Sequence, residues 1–217
     1  VTRFMLAQGA KLIVIACNTA SAAALKTLRQ EYPEVPFVGM EPAVKPAAEQ
    51  TNSGKVGVLA TPSTFQGELY ASVVERFASG VEIYQETCPG LVSQIEQGRL
   101  ETPKTRRILE AALLPLMAHG VDTLVMGCTH FPFVIPLIEQ ITEGKARVID
   151  PAPAVARQTQ RVLEERGLLN PKPEAGLTRY FTTGDPARFS RVLPRLIGLQ
   201  AQAQALRWQG IDLTPIN

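Results

Sequence analysis

Val125-Met126-Gly127-Cys128-Thr129-His130 repeats, about 110 positions later, the plan of Val14-Ile15-Ala16-Cys17-Asn18-Thr19. In each stretch an apolar run delivers a cysteine at its C-terminal end, and polar residues then open the next helix. That spacing matches the length of a small domain. Working outward, residues 11–16 (KLIVIA) read as a buried strand, followed by a turn and a helix over 20–31. Residues 35–39, 55–60, 81–87, 123–127, 146–149 and 177–183 read as further strands. Helices fill the intervals after Pro42, Ser63, Thr102, Pro132, Pro151 and Asp185. Near-continuous apolar strands alternating with helices imply parallel sheets covered on both faces. The expected class is α/β: two similar lobes, each a parallel-type sheet flanked by helices, with the active site between them.

Local signals place several helix starts. Thr102-Pro103 and Asp185-Pro186 each put a capping side chain directly before a proline at the first helical position. Ser63 with Gln66 offers a capping box. Pro42 suits a first helical turn after Glu41.

Composition narrows the class of function. The 217 residues are 45% hydrophobic and 19% charged, with a net charge of +2 and dispersed basic residues, so no nucleic-acid or membrane patch is expected. No eighteen-residue apolar stretch marks a membrane span. The start, Val1-Thr2-Arg3-Phe4-Met5, has too short an apolar part for a signal peptide. Three cysteines are too few for a disulfide scaffold and point to a reducing, cytoplasmic setting.

The chemistry centres on the paired cysteines. A thiol at a strand-to-helix junction lies near helix N-terminal N–H groups, and both the donors and their partial charge are expected to lower its pKa. A lone buried cysteine more often fills space, but two in matched settings shift the balance towards function. Two thiols facing one pocket without metal or disulfide suit stereoinversion at carbon, where one removes a proton and the other returns one to the opposite face. There is no CxxC or HxxxH pair for zinc, and no CxxC for thioredoxin-type exchange.

Other residues carry double readings. His130, two positions after Cys128, either activates that thiol, contacts substrate, or is an exposed turn histidine. His119, before Gly120, reads as a helix-end cation. Asn18, Thr19 and Thr129 read as caps or as carboxylate ligands, and Thr61 and Ser63 carry the same pair of meanings. Thr182, Thr183 and Cys88 read as structural.

The chain resembles the glutamate racemase branch of the aspartate/glutamate racemase superfamily. Ala16-Cys17-Asn18-Thr19-Ala20-Ser21 and Gly127-Cys128-Thr129-His130-Phe131-Pro132 carry the resemblance, with Glu41-Pro42-Ala43-Val44-Lys45-Pro46-Ala47 between them. Cys88-Pro89 leading to Glu96-Gln97-Gly98, and Phe181-Thr182-Thr183-Gly184-Asp185-Pro186, complete it in family order.

The resemblance implies that Cys17 and Cys128 are the acid/base thiols and that neither pyridoxal phosphate nor metal is needed. It implies that Asn18, Thr19 and Thr129 bind the polar groups of glutamate, with Thr61 and Thr64 close by. Glu96 and His130 would assist Cys128, His130 also touching substrate. On its own position Glu96 reads as a solvated helix charge. The implied activity is racemisation of glutamate for peptidoglycan, by an enzyme that meets a small molecule rather than nucleic acid or membrane, with a homodimer among the expected assemblies.

Family members carry an Asp-Ser-Gly-x-Gly-Gly strand and a Tyr-Gly turn ahead of the equivalent of Val1, and neither is present here. The first lobe is therefore expected to be incomplete (residues 1–41 with 150–217), the second complete (42–149), and turnover impaired. The alternatives are a racemase for another acidic amino acid such as aspartate, or a non-catalytic binding fragment whose exposed sheet edges favour self-association.

Overall fold

The computed structural model describes residues 1–171 and 176–216. It opens with α1 (Thr2–Ala7), β1 (Ile13–Val14), α2 (Asn18–Glu31) and β2 (Phe37–Val38). Then come α3 (Val44–Gln50), β3 (Lys55–Leu59), α4 (Pro62–Phe65), α5 (Glu68–Phe77) and β4 (Glu82–Glu86). Next are α6 (Leu91–Ile95), α7 (Pro103–Ala118), β5 (Thr123–Met126), a 3₁₀ turn (Phe131–Val134), α8 (Ile135–Ile141) and β6 (Arg147–Ile149). Last are α9 (Ala152–Glu165), β7 (Tyr180–Thr182), α10 (Pro186–Ile197), β8 (Ala203–Gln209) and β9 (Asp212–Pro215). The class is α/β, as the alternation predicts.

Two compact units emerge from the contacts: Val14–Thr159, and Val1–Ile13 together with Gln160–Asn217. Both this division and the sequence-based one join the two chain ends. They differ on residues 14–41 and 150–159, which the contacts group with the larger unit.

The larger unit is built on a four-stranded parallel sheet in the order β4-β3-β5-β6. Each residue of β5 is buried, as are the last four of β3, which is why these strands read as unbroken apolar runs. Val56, Val58 and Val125 pack with Val44, Ala47, Tyr70 and Val73 into one core cluster. Gly57 serves close packing: a Cβ there would lie 2.8 Å from Leu124 and 3.0 Å from Leu116. At the N-terminal end of β5, the Asp122 carboxylate gathers Thr51 Oγ1 at 2.6 Å and Thr123 Oγ1 at 3.0 Å on one oxygen. Its other oxygen accepts the Asn52 and Ser53 amides at 2.7 and 2.8 Å. Burial pushes this acid up, but the four donors outweigh it and hold the pKa at about 2.

In the smaller unit β7 pairs parallel with β8, and β8 pairs antiparallel with β9. Phe4 of α1 meets the Phe181 ring edge-on at 5.1 Å, and Arg3 bonds Asp212 at 2.9 Å, so the chain's first helix is tied to its last strands.

Several local expectations change. The 11–16 run is not a fully buried strand: only Ile13–Val14 forms a strand, with Ile15 N adding one bond to Val38 O at 2.8 Å, and Val14 is exposed. Among the described residues its one sheet neighbour is β2. Ser63 does not cap a helix, because Pro62 starts α4 one residue earlier and Thr61 takes the cap position. The helix after Pro42 begins at Val44 instead, with Pro46 in its first turn. The 177–183 strand shrinks to Tyr180–Thr182. The Thr102 and Asp185 caps form as expected, their side chains accepting from Thr105 N and from Ala187 N with Arg188 N.

Candidate functional site

Both cysteine turns lie in the Val14–Thr159 unit. Cys17 is itself the N-cap of α2, its sulfur accepting the Ala20 amide at 3.5 Å. Asn18 and Thr19, read as caps, are therefore the first two helical residues, and their side chains are released for other bonds. Ser21, one turn on, locks this junction. Its hydroxyl donates to Ile15 O at 3.1 Å and accepts the Met40 amide at 2.9 Å, joining the ends of β1 and β2 to α2. Ser21 was not singled out by sequence reasoning. Its signal is its place at the end of the Ala16–Ser21 motif, a hydroxyl among alanines in the first turns of a helix.

Cys128 follows β5 after the single residue Gly127. Thr129 and His130 form the turn, and the 3₁₀ residues Phe131–Val134 come next, so an α-helix starts only at Ile135. The Cys128 sulfur receives the backbone N–H groups of His130 and Phe131. Helix-start donors alone would lower the thiol pKa. Here burial raises it, and nearby Cys17 raises it further, so the net shift is upward despite the two N–H bonds. The expected lowering is overturned for Cys128, because removing sulfur from water costs the thiolate more than two amides return. Among the described residues Cys128 thus rests as a thiol, and Cys17 lies close enough to affect it electrostatically.

His130 Nδ1 stands 3.7 Å from the Cys128 sulfur, and His130 Nε2 stands 3.3 Å from Glu96 Oε1. Glu96, which ends α6, is thereby brought from a distant turn into line with the thiol. The carboxylate accepts Nε2–H and so leaves Nδ1 as the lone-pair nitrogen that faces sulfur. Both side chains of this pair are partly exposed, so it contributes little to stability. What it contributes is orientation.

Thr64 is buried, and its hydroxyl lies 3.2 Å from both Thr19 Oγ1 and Thr61 Oγ1. Three hydroxyls carry three protons and the two internal bonds use two, so one proton is always left to donate. Asn18 is buried too: its Nδ2 donates to Gly127 O at 2.8 Å, and its Oδ1 has no hydrogen-bond partner. An orphaned buried acceptor of this kind is costly unless a ligand satisfies it. Thr129 is half-buried on the Cys128 turn.

Cys88 is buried and pushed up to about 12, by desolvation first, then by Glu86 and Cys128. It is a protonated structural thiol, in keeping with its sequence reading. Among the described residues no group of three His, Cys, Asp or Glu side chains is placed to hold a metal, and no helix is long and apolar enough to cross a membrane.

The family model for Asp/Glu/Hydantoin racemase matches residues 1–159. The glutamate racemase of Ectopseudomonas mendocina is 52% identical over 202 residues, covering 93% of this chain and 76% of the relative. In structure, glutamate racemase isoform RacE1 of Bacillus anthracis aligns with a TM-score of 0.81 at 30% identity, over 94% of this chain and 76% of its own. The Escherichia coli glutamate racemase, solved with L-glutamate and the activator UDP-MurNAc-ala, aligns with a TM-score of 0.77 at 30% identity, over 90% and 74%. The chain belongs to the Asp/Glu/Hydantoin racemase family, a family of isomerases, and within it to the glutamate racemases.

Proposed function

We propose that the chain interconverts L- and D-glutamate without a cofactor, using Cys17 and Cys128 as the two acid/base groups on opposite faces of the α-carbon. The observation that carries this reading is the alignment of Cys128, His130 and Glu96 in one chain of contacts, beside a second thiol that Cys128 senses electrostatically.

In one direction a Cys17 thiolate takes the α-proton while the Cys128 thiol delivers another from the far side. That leaves Cys128 as the thiolate and Cys17 as the thiol. In reverse, therefore, the Cys128 thiolate takes the α-proton and the Cys17 thiol delivers the other. His130 Nδ1 exchanges protons with Cys128 when the free enzyme returns to its starting form. Glu96 holds the imidazole in the needed tautomer and stabilises the cation that forms. The surplus hydroxyl proton of Thr19, Thr61 and Thr64 serves a substrate carboxylate, with Thr129 and His130 beside it. The orphaned Asn18 Oδ1 accepts from the ammonium group. Keeping the ammonium protonated is what makes the α-hydrogen removable, since the charge that develops on carbon is met by a fixed cation and fixed donors. The product D-glutamate serves peptidoglycan synthesis.

Proton NMR in D₂O, with each enantiomer supplied separately and aspartate as control, tests the proposal. The expected result is deuterium at the α-carbon of the opposite enantiomer, from glutamate only. Folded protein with no α-hydrogen exchange from either enantiomer would overturn it.

A further inference from the structure

The two cysteine turns are joined by one side chain. Asn18, immediately after Cys17, donates through Nδ2 to the carbonyl of Gly127, immediately before Cys128, at 2.8 Å and in a buried setting. The same glycine is gripped from its other side, where Gly127 N donates to Leu59 O of β3 at 2.8 Å. It also has no room to shift towards that strand: a Cβ at Gly127 would stand 2.8 Å from Ala60 Cβ and 3.0 Å from Leu59 O. The peptide that presents Cys128 is thus fixed by β3 on the amide side and by α2 on the carbonyl side.

We infer that Asn18 is a positioning residue whose Nδ2–Gly127 bond sets the placement of the Cys128 turn relative to Cys17, separately from any contact its Oδ1 makes with substrate. α2 is itself held by the Ser21 hydroxyl at Ile15 and Met40, so the bond transmits a fixed reference to the Cys128 turn. Without it the Gly127 carbonyl is a buried acceptor with no partner, and the turn relaxes towards water to satisfy it. Relaxation exposes the Cys128 sulfur and takes its proton out of line with the carbon it serves. Placement errors of this kind act on the chemical step more than on binding.

The inference rests on the proposed two-thiol reaction for its kinetic arm but not for its chemical arm. Asn18→Asp keeps an acceptor oxygen for an ammonium group and removes the donor to Gly127. The expected kinetics are a fall in kcat of at least tenfold with KM changed by less than threefold. In parallel, iodoacetamide labelling resolved by mass spectrometry should show Cys128 alkylated at least tenfold faster than in the parent, while buried Cys88 stays slow in both. A loss confined to KM, or a parental Cys128 labelling rate, overturns the inference. A parent that labels normally but does not racemise would sink the proposed function, and the labelling comparison would still decide the clamp. Fast labelling of Cys88 would show that Asn18→Asp has lost its fold. Asn18→Gln then serves instead: its amide sits one methylene too far out, so the clamp demands Cys128 labelling faster than the parent's, and an unchanged rate refutes it.

Discussion

Asp122→Asn is the perturbation whose effect follows most directly from the geometry. The carboxylate accepts four hydrogen bonds and is held at about 2, against 3.8 for an unperturbed aspartate. Because the folded value lies below the unfolded one, the charge stabilises fully above about pH 4, and that stabilisation is lost as pH falls towards 2. The shift corresponds to at most about 2.5 kcal/mol. Asp122 is only half-buried, and water screens part of the interaction, so about 1–2 kcal/mol is the better expectation. An asparagine can still turn its carbonyl to the Asn52 and Ser53 amides and its NH₂ to the hydroxyls, so the variant isolates the charge. Thermal unfolding of parent and variant should differ by about 3–6 °C at pH 7. Near pH 3 the gap should shrink to about half. An equal gap at both pH values would refute the electrostatic account and leave only packing. No gap at pH 7 would refute both.

Other outcomes follow from the same structure. Cys17→Ser and Cys128→Ser should each lower racemisation by roughly 10²–10⁴-fold, equally in both directions because the enantiomers are equal in energy. With α-deuterated substrates, however, the primary isotope effect should be larger for one enantiomer in the first variant and for the other enantiomer in the second. The same preference in both would contradict one thiol per face. Glu96→Gln should reduce kcat by roughly tenfold to a hundredfold, with urea unfolding unchanged; full activity would remove the tautomer argument. Gly127→Ala forces a methyl against Ala60 and the Leu59 carbonyl and should cost about 1–3 kcal/mol, read by urea unfolding, so parental stability would show that the strands can part. Cys128 labelling should keep accelerating as pH rises beyond the ordinary thiol range, whereas a plateau below it would show that burial does not govern this thiol.

Much of this was legible in the sequence because period and punctuation are local. Thr102-Pro103 and Asp185-Pro186 formed the caps their chemistry demands, and residues 55–60 and 123–127 became β3 and β5 within a residue at their C-terminal ends. What was not legible depended on neighbours. The 11–16 run looks as apolar as β5, but apolarity cannot say how many strands flank it: β5 lies between β3 and β6, whereas among the described residues β1 pairs with β2 alone. The β8–β9 hairpin, turning at Gly210 with a positive φ, lacks the alternation that marks a buried sheet, since most of β8 is exposed. At the site, motif resemblance named Glu96, while its own surroundings in sequence pointed to a solvated charge. Only the fold carries it to His130. The Asn18–Gly127 bond escaped notice because it joins segments 109 residues apart, and Ser21 because its partners are backbone groups of two strand ends that carry no side-chain signal. The direction of the Cys128 shift was misread because the helix-start donors are visible in sequence and the depth of burial is not.

The hydroxyl chain of Thr19, Thr64 and Thr61 has one more consequence. A row of hydroxyls has no built-in polarity. Rotation about three C–O bonds reverses every donor and acceptor, so the spare proton emerges at one end of the row or at the other while no heavy atom moves. In the proposed two-thiol reaction the two enantiomers carry the α-hydrogen on opposite faces of one carbon, and the carboxylate and ammonium groups shift only slightly between them. On the proposed reading, a reversible row would follow that small shift by turning its spare proton, where fixed amides would have to favour one hand.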